Sequence, residues 1–270
     1  MNNMLTRAIS GAVFVSILVS AIIFSPTTFL GLFFILMLIS IFEFSKMLNI
    51  KGVEPYLVSL TLFLSEILPH WEISTIYTDT LTILLILCVF IKHLLKEKTD
   101  PIKELGNFLL CITYACISYI FIIKIPFIKI SNSYESILIL GVFVLIWSSD
   151  TFAYLTGVTI GKTKLLERIS PKKTIEGFFG GVIATMIISY LISLKFTLLL
   201  PYQWISLGVI ISVTGVIGDL IASMFKRKTG VKDTGKIIPG HGGIIDRLDS
   251  IIFASPFIYL YLKFILENVS

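Results

Sequence analysis

Charge is what this sequence lacks most. Of its 270 residues only 14% are Asp, Glu, Lys or Arg, against roughly a quarter in an ordinary soluble domain. With 56% hydrophobic residues and a mean hydropathy of +0.94, a water-soluble globule of this length would have too little polar surface to cover itself. Cysteine is scarce too. Cys88, Cys111 and Cys116 lie in apolar runs without metal-ligand spacing, so they read as small hydrophobes in core or lipid. Of three histidines, only His241 stands in a polar setting. No internal repeat, low-complexity tract or linker separates the chain into parts. Residues 1–270 are therefore expected to form one membrane domain, with an N-terminal helical half over about 1–130 and the polar chemistry in a C-terminal half over about 131–270.

What the sequence has in abundance is long apolar runs. Each membrane crossing needs about 20 mostly apolar residues, and nine candidates are found at 8–24, 29–48, 56–68, 78–95, 108–128, 137–155, 178–194, 204–225 and 251–266. The expected fold is all-α, a polytopic integral membrane protein with about nine transmembrane helices. The first run has the look of a signal peptide, but others come directly after it, so it reads as an uncleaved span. The third is short. The net charge of +5 sits beside the spans, which fits membrane topology rather than nucleic acid. Eighteen of the 22 Lys and Arg residues, among them Arg7 and the group Lys92, Lys96, Lys98 and Lys103, fall at the N-terminus or in even-numbered connections. Only Lys124, Lys129, Lys195 and Lys263 fall on the other side. Cytoplasmic loops carry the excess of Lys and Arg, so the N-terminus and the polar loops are expected in the cytoplasm. The C-terminus is expected outside, across the cell's inner membrane.

The densest polar run is "KRKTGVKDTGKIIPGHGGIIDRLD", residues 226–249. Just before and into it, Asp219, Ser223 and Lys226 are spaced to share one helical face. A carboxylate as deep in an apolar run as Asp219 is costly unless it meets a partner. It is therefore a site residue, or else one member of a salt bridge or a protonated acid between helices. Asp246 and Asp249, three apart, open the last span. They are either first-turn charges that complement the helix dipole or, with Asp219, ligands for a hard divalent cation. Mg²⁺ takes one or two carboxylates and completes its shell with phosphates and waters. Arg247 points off that face, towards one of these acids or a phosphate. Gly240, Gly242 and Gly243 let backbone N–H groups approach an anion. Beside Lys226, Arg227, Lys232 and Lys236 they read as a phosphate cradle. His241 suits a phosphate contact or an acid, and equally a hydrogen-bonded turn.

A second patch, "GKTKLLERISPKKTIEGFFGG", spans residues 161–181. Ser170 before Pro171 predicts a helix start, with Lys172 and Lys173 in its first turn as an anion site. The alternative is a basic loop resting on anionic headgroups. Asp150, in "WSSDTFAYLTG", is either a further site acid or a helix–helix partner. Glu43, in "IFEFSK", lies three residues before Lys46. A local ion pair accounts for it, so it is left outside the site.

The run Ser223, Phe225, Lys226, Arg227, Lys232, Asp233, Gly235, Ile238, Pro239, His241, Gly242, Gly243, Ile244, Asp246, Arg247, Leu248 and Asp249 resembles, without departure, the signature of phosphatidate cytidylyltransferases, or CDP-diacylglycerol synthases. "DTFAYLTG" and "SPKKTIEG" are similar to that family as well. The resemblance implies that CTP and phosphatidic acid react to give CDP-diacylglycerol and pyrophosphate, with Mg²⁺ and room for a second metal or a monovalent cation. It also implies a helical homodimer among membrane lipids. By position, Asp219 and Asp246 would hold metal with Asp249 assisting, and Lys226 would complete the catalytic set. Ser223, Arg227, Lys232, His241, Gly242, Gly243 and Arg247 would lie near substrate phosphates, together with Ser170, Lys172 and Lys173 of the second patch. The residues themselves agree. In phosphoryl-type transfer the protein mainly positions groups and neutralises charge, and no side-chain nucleophile is needed. The alternatives are a cytidylyltransferase for a different lipid phosphate, a cation-binding membrane transporter, for which no repeat is seen, and a membrane scaffold with a basic loop.

Overall fold

The computed structural model describes residues 3–71, 73–95, 100–128 and 134–267. Lys96, Lys98 and Lys129, which enter the charge asymmetry, lie outside the described residues. Among the described residues ten α-helices run in order: α1 Asn3–Phe24, α2 Pro26–Leu48, α3 Glu54–Ile67, α4 Ile76–Leu94, α5 Pro101–Ile112, α6 Ser118–Lys124, α7 Ser136–Thr159, α8 Ile175–Lys195, α9 Pro201–Lys228 and α10 Ile245–Glu267. A wide π turn over Thr113–Ile117 joins α5 to α6, so Pro101–Phe127 runs as one span. Among the described residues eight stretches are long and apolar enough to cross a membrane, and the protein is a polytopic all-α membrane protein as expected. The short third candidate is α3. Its 14 residues rise about 21 Å at 1.5 Å each, less than the roughly 30 Å of a bilayer core. A 3₁₀ turn over Leu68–Trp71 carries the chain on from its end.

Local chemistry sets the turns. Between α1 and α2, Ser25 and Thr28 form a reciprocal capping box, each side-chain oxygen accepting the other's N–H at 3.1 Å, and Pro26 occupies the first turn where its missing N–H costs nothing. Asn49, with φ of 57°, ends α2 in the left-handed region. The core is aromatic and aliphatic, with Phe29, Phe33, Phe44, Tyr119 and Trp204 among its fully buried side chains. Close approach of α9 to α10 depends on Gly218, where an added Cβ would lie 2.7 Å from the Asp249 carbonyl oxygen.

One local expectation is overturned. Ser170 and Pro171 do not start a helix. Residues Ser170–Thr174 form β2, paired antiparallel with β1, Lys164–Leu166, so that Lys164 faces Thr174 and Leu166 faces Ser170. Lys172 and Lys173 therefore project from a strand. Helix α8 starts after Thr174, whose hydroxyl oxygen accepts the Gly177 N–H at 3.1 Å. Two residues with capping side chains compete here, and Thr174 prevails because the packing of Gly177 favours it. Gly177 presses α8 onto α7 so closely that a Cβ would sit 2.6 Å from the Ala153 carbonyl oxygen. The Glu176 carboxylate, accepting the Thr163 N–H at 3.0 and 3.1 Å, ties the base of the hairpin to the new helix.

Candidate active site

The loop between α9 and α10, residues 229–244, is held by two carboxylates. The first is Glu43 on α2, only 1% exposed. One of its oxygens accepts the Ile244 N–H at 3.0 Å, and the other accepts the Ile245 N–H and the Thr234 hydroxyl at 3.1 Å each. These backbone donors are the open N–H groups at the start of α10, so Glu43 caps that helix from another part of the chain, where the helix dipole favours negative charge. Gly235 and Gly243 lie against the Glu43 carboxylate, and a Cβ at either would overlap its oxygens. The second is Asp246. Its Oδ1 lies 2.7 Å from Lys226 Nζ, and its Oδ2 accepts the Thr234 N–H at 2.8 Å and the Gly243 N–H at 3.0 Å and lies 3.0 Å from the Thr234 hydroxyl, whose single proton it shares with Glu43. Thr234 thus stands between both acids.

The same loop is pinned to α1. Ser10 donates to the Pro239 carbonyl at 2.9 Å, and its hydroxyl lies 2.9 Å from His241 Nδ1. The turn itself closes through Ile238 and Gly242, with Gly240 and Gly242 at φ of 75° and 90°, a conformation that suits glycine. Burial, together with the positive charges of Arg247 and Arg7, holds the His241 pKa below the usual histidine value.

Asp219 and Asp249 lie on α9 and α10. Asp219 Oδ2 is 2.5 Å from Lys173 Nζ, which reaches in from β2, and Asp219 Oδ1 accepts the Ser223 hydroxyl at 3.3 Å. Asp249, one turn beyond Asp246, is within electrostatic reach of Asp219 and Asp150, with Lys226 and Lys173 as countercharges. A cavity of about 590 Å³ opens beside them. Asp150, Asp219, Lys164, Lys172 and Lys173 line its polar part, and Ala153, Tyr154, Val158, Phe178 and Val216 its apolar part. Tyr154 and Val158 are 69% and 68% exposed, so the apolar part is open at the surface of the helix bundle.

The structure gathers most of the residues singled out in the sequence. Asp219, Ser223, Lys226, Lys173, Asp246 and Asp249 meet around the α9–α10 junction, with Gly242 and Gly243 in the turn beside them. Arg227, Lys232 and Arg247 are exposed nearby, and Arg247 faces Asp150 and His241 electrostatically. Ser170 begins β2 and does not line the cavity. Among the described residues no group of three or more His, Cys, Asp or Glu side chains closes into a metal-sized cluster. Asp246 is bound up with Lys226 and the loop, whereas Asp219 faces the cavity. The local pairing of Glu43 with Lys46 is overturned. Glu43 points inward to residues 234–245, and Lys46 is exposed. Its signal was visible, an acid set among apolar residues, but its partners lie 191 to 202 positions away. Thr234 and Ser10 carried no distinguishing signal.

The sequence model of the Cytidylyltransferase family matches residues 5–265. The chain is similar to a protein of Bacillus subtilis (strain 168) named phosphatidate cytidylyltransferase, 34% identical over 272 residues that cover 97% of this chain and 98% of the relative. It is also similar to the protein of that name from Staphylococcus aureus (strain COL), 50% identical over 126 residues, 46% of this chain and 48% of the relative.

Proposed function

The chain belongs to the cytidylyltransferase family, and we propose that it is a phosphatidate cytidylyltransferase, transferring CMP from CTP to phosphatidic acid. The observation that carries this reading is the two-part cavity beside Asp219. Its lysines suit phosphate, and its apolar wall suits the tails of a lipid that never leaves the leaflet. A soluble acceptor would need no such opening.

In the reaction an oxygen of the lipid phosphate forms a bond to the α-phosphorus of CTP. The bond from that phosphorus to the bridging oxygen breaks, and pyrophosphate leaves with the electron pair. Lys172 and Lys173 hold the lipid phosphate and offset the repulsion between two anions. Asp246 and Glu43 fix the loop so that the turn at Gly242 and Lys226 meet the nucleotide phosphates, the Gly243 N–H itself being taken by Asp246. Arg227, Lys232, Arg247, Ser223 and His241 line the approach. The acceptor phosphate is already ionised at neutral pH, so no side chain has to remove a proton from it.

The donor set fits a hard cation. Asp219 and Asp249 offer only oxygen, feel each other's charge, and have no thiol or imidazole ligand beside them among the described residues. These two would hold Mg²⁺, with substrate phosphates as its other ligands, and Asp246 would steady them through Lys226. When bound, the ion would neutralise charge on the transferring group.

The side of the bilayer is read from the charge asymmetry. The N-terminus and the α9–α10 loop would face the cytoplasm, where CTP is found, and the C-terminus would lie outside the inner membrane. Assembly as a homodimer belongs to the same reading. The test is purified protein with phosphatidic acid, labelled CTP and Mg²⁺. A labelled lipid and one pyrophosphate per turnover are expected, and absence of both would reject the reading.

A further inference from the structure

Among the described residues, three buried side-chain polar atoms have no hydrogen-bond partner: Tyr114 Oη, Ser189 Oγ and Trp204 Nε1. Ser189 and Trp204 pack against glycines of neighbouring helices, Gly208 and Gly141, away from the ionisable groups of the site. Tyr114 does face them. It is 6% exposed, and its ring stacks on Phe44 with centroids 5.0 Å apart and meets Phe225 edge-on at 5.2 Å. Phe44 adjoins Glu43, and Phe225 adjoins Lys226. The ring is therefore clamped between the two elements that hold the α9–α10 loop. Its hydroxyl lies where the charges of Asp249, Asp219 and Asp246 all reach it, that of Asp249 the most strongly of the three.

The backbone is arranged to put it there. Tyr114 lies in the π turn Thr113–Ile117, and such turns are rare and concentrate at functional sites. Tyr119, five residues on, is also buried, at 1% exposure, and its hydroxyl bonds Ser40 Oγ at 2.6 Å. On an unbroken α-helix residues five apart point about 140° apart. The widened turn lets both tyrosines face inward. One satisfies its hydroxyl within the protein, and the other's is buried without a partner, within electrostatic reach of the three aspartates. A buried donor without an acceptor is costly, and a complex that brings a cation to the acids and acceptor oxygens to the hydroxyl would satisfy both.

We propose that Tyr114 is a substrate-contacting residue, its phenolic O–H donating to a phosphate oxygen of the nucleotide held between α9 and α10. The proposal rests on the reading that this site binds phosphate esters. Nothing in the order of residues marks it, since Tyr114 sits in an apolar run.

Tyr114→Phe keeps the ring between Phe44 and Phe225 and removes only the hydroxyl. A hydrogen bond to a charged phosphate is worth about 10- to 100-fold in kcat/KM, and that loss is expected, with the thermal midpoint of the ligand-free protein unchanged or raised. A kcat/KM within about twofold of wild type overturns the proposal. So does a loss accompanied by a lower ligand-free midpoint, which assigns the hydroxyl to folding. Wild-type turnover in the same assay decides the reaction independently. If the wild type converts no phosphatidic acid, the rise in midpoint produced by pyrophosphate with Mg²⁺ still decides Tyr114. It is expected to be larger in wild type than in Tyr114→Phe, and equal rises overturn the proposal.

Discussion

Replacing Glu43 by Gln tests the inward clasp on the α9–α10 loop. The carboxylate serves three donors, the N–H groups of Ile244 and Ile245 and the Thr234 hydroxyl. Gln keeps the shape but turns one acceptor oxygen into an NH₂ group, so one backbone N–H then faces a donor. Bonds to charged groups contribute about 1.5–3 kcal/mol each, and a buried donor left unpaired costs about 1–3 kcal/mol. Allowing for relaxation of the side chain, the change weakens the loop by about 2–4 kcal/mol. That raises the population of its opened form about 30- to 700-fold, at 1.4 kcal/mol per tenfold. The assay is amide hydrogen exchange in detergent, monitored peptide by peptide. Exchange is expected to quicken over residues 234–246 and to stay unchanged in α7 and α8, with a parallel loss of CDP-lipid formation. Lys46→Ala supplies the contrast. If Glu43 serves the loop, Lys46→Ala leaves loop exchange alone. If Lys46→Ala reproduces Glu43→Gln, or if Glu43→Gln leaves exchange of Ile244 and Ile245 at the wild-type rate, the clasp has been misread.

Asp219→Asn and Asp249→Asn should each lower lipid-product formation by at least about 100-fold without loss of membrane insertion, and activity near wild type in both would remove them from the cation site. Lys226→Met leaves Asp246 without its cation, in a pair whose side chains are only 13% and 4% exposed. Removing one member of a buried pair costs about 3–5 kcal/mol, and the remaining backbone donors to Asp246, the Thr234 and Gly243 N–H groups, place the expected loss near the lower end, read as a fall of about 6–12 °C in thermal midpoint. His241 is held below its unfolded value of about 6.5, so between the two values the unfolded chain binds more protons and stability rises with pH. Its contribution is complete above about pH 6.5 and is lost as the pH falls through the folded value. The wild-type midpoint should therefore drop more than that of His241→Gln between pH about 7.5 and about 5.5, and equal drops would refute the assignment.

Much of the architecture was legible because lipid imposes one simple rule, that a crossing segment must be apolar and helical. The span expected over 204–225 is the core of α9, and the one expected from 251 begins at Ile245, which keeps Asp246 and Asp249 in the first turns of α10. Cys111 and Cys116 are buried and free, as their apolar setting implied. The grouping of the candidate residues at the α9–α10 junction was legible because they crowd into one stretch. The hairpin was not, because Ser170–Pro171 and Thr174 both read as caps and only the packing of Gly177 on α7 separates them. Glu43 was misread because i, i+3 spacing to Lys46 looks the same whether or not the side chain turns inward. Tyr114, proposed above as a substrate contact, was not singled out because a π turn has no residue code.

Glu43 also bears on how the protein is made. Its three donors are contributed by residues 191 to 202 positions later in the chain. While α2 is already in the bilayer and the C-terminal part of the polypeptide is still being synthesised, that carboxyl group has none of them. The half-built bundle must carry an orphan acid, protonated or wetted, until the final helix arrives to claim it. Biogenesis thus has a late locking step, and a nascent chain stopped short of residue 234 would display to membrane quality control a polar flaw that the finished molecule conceals.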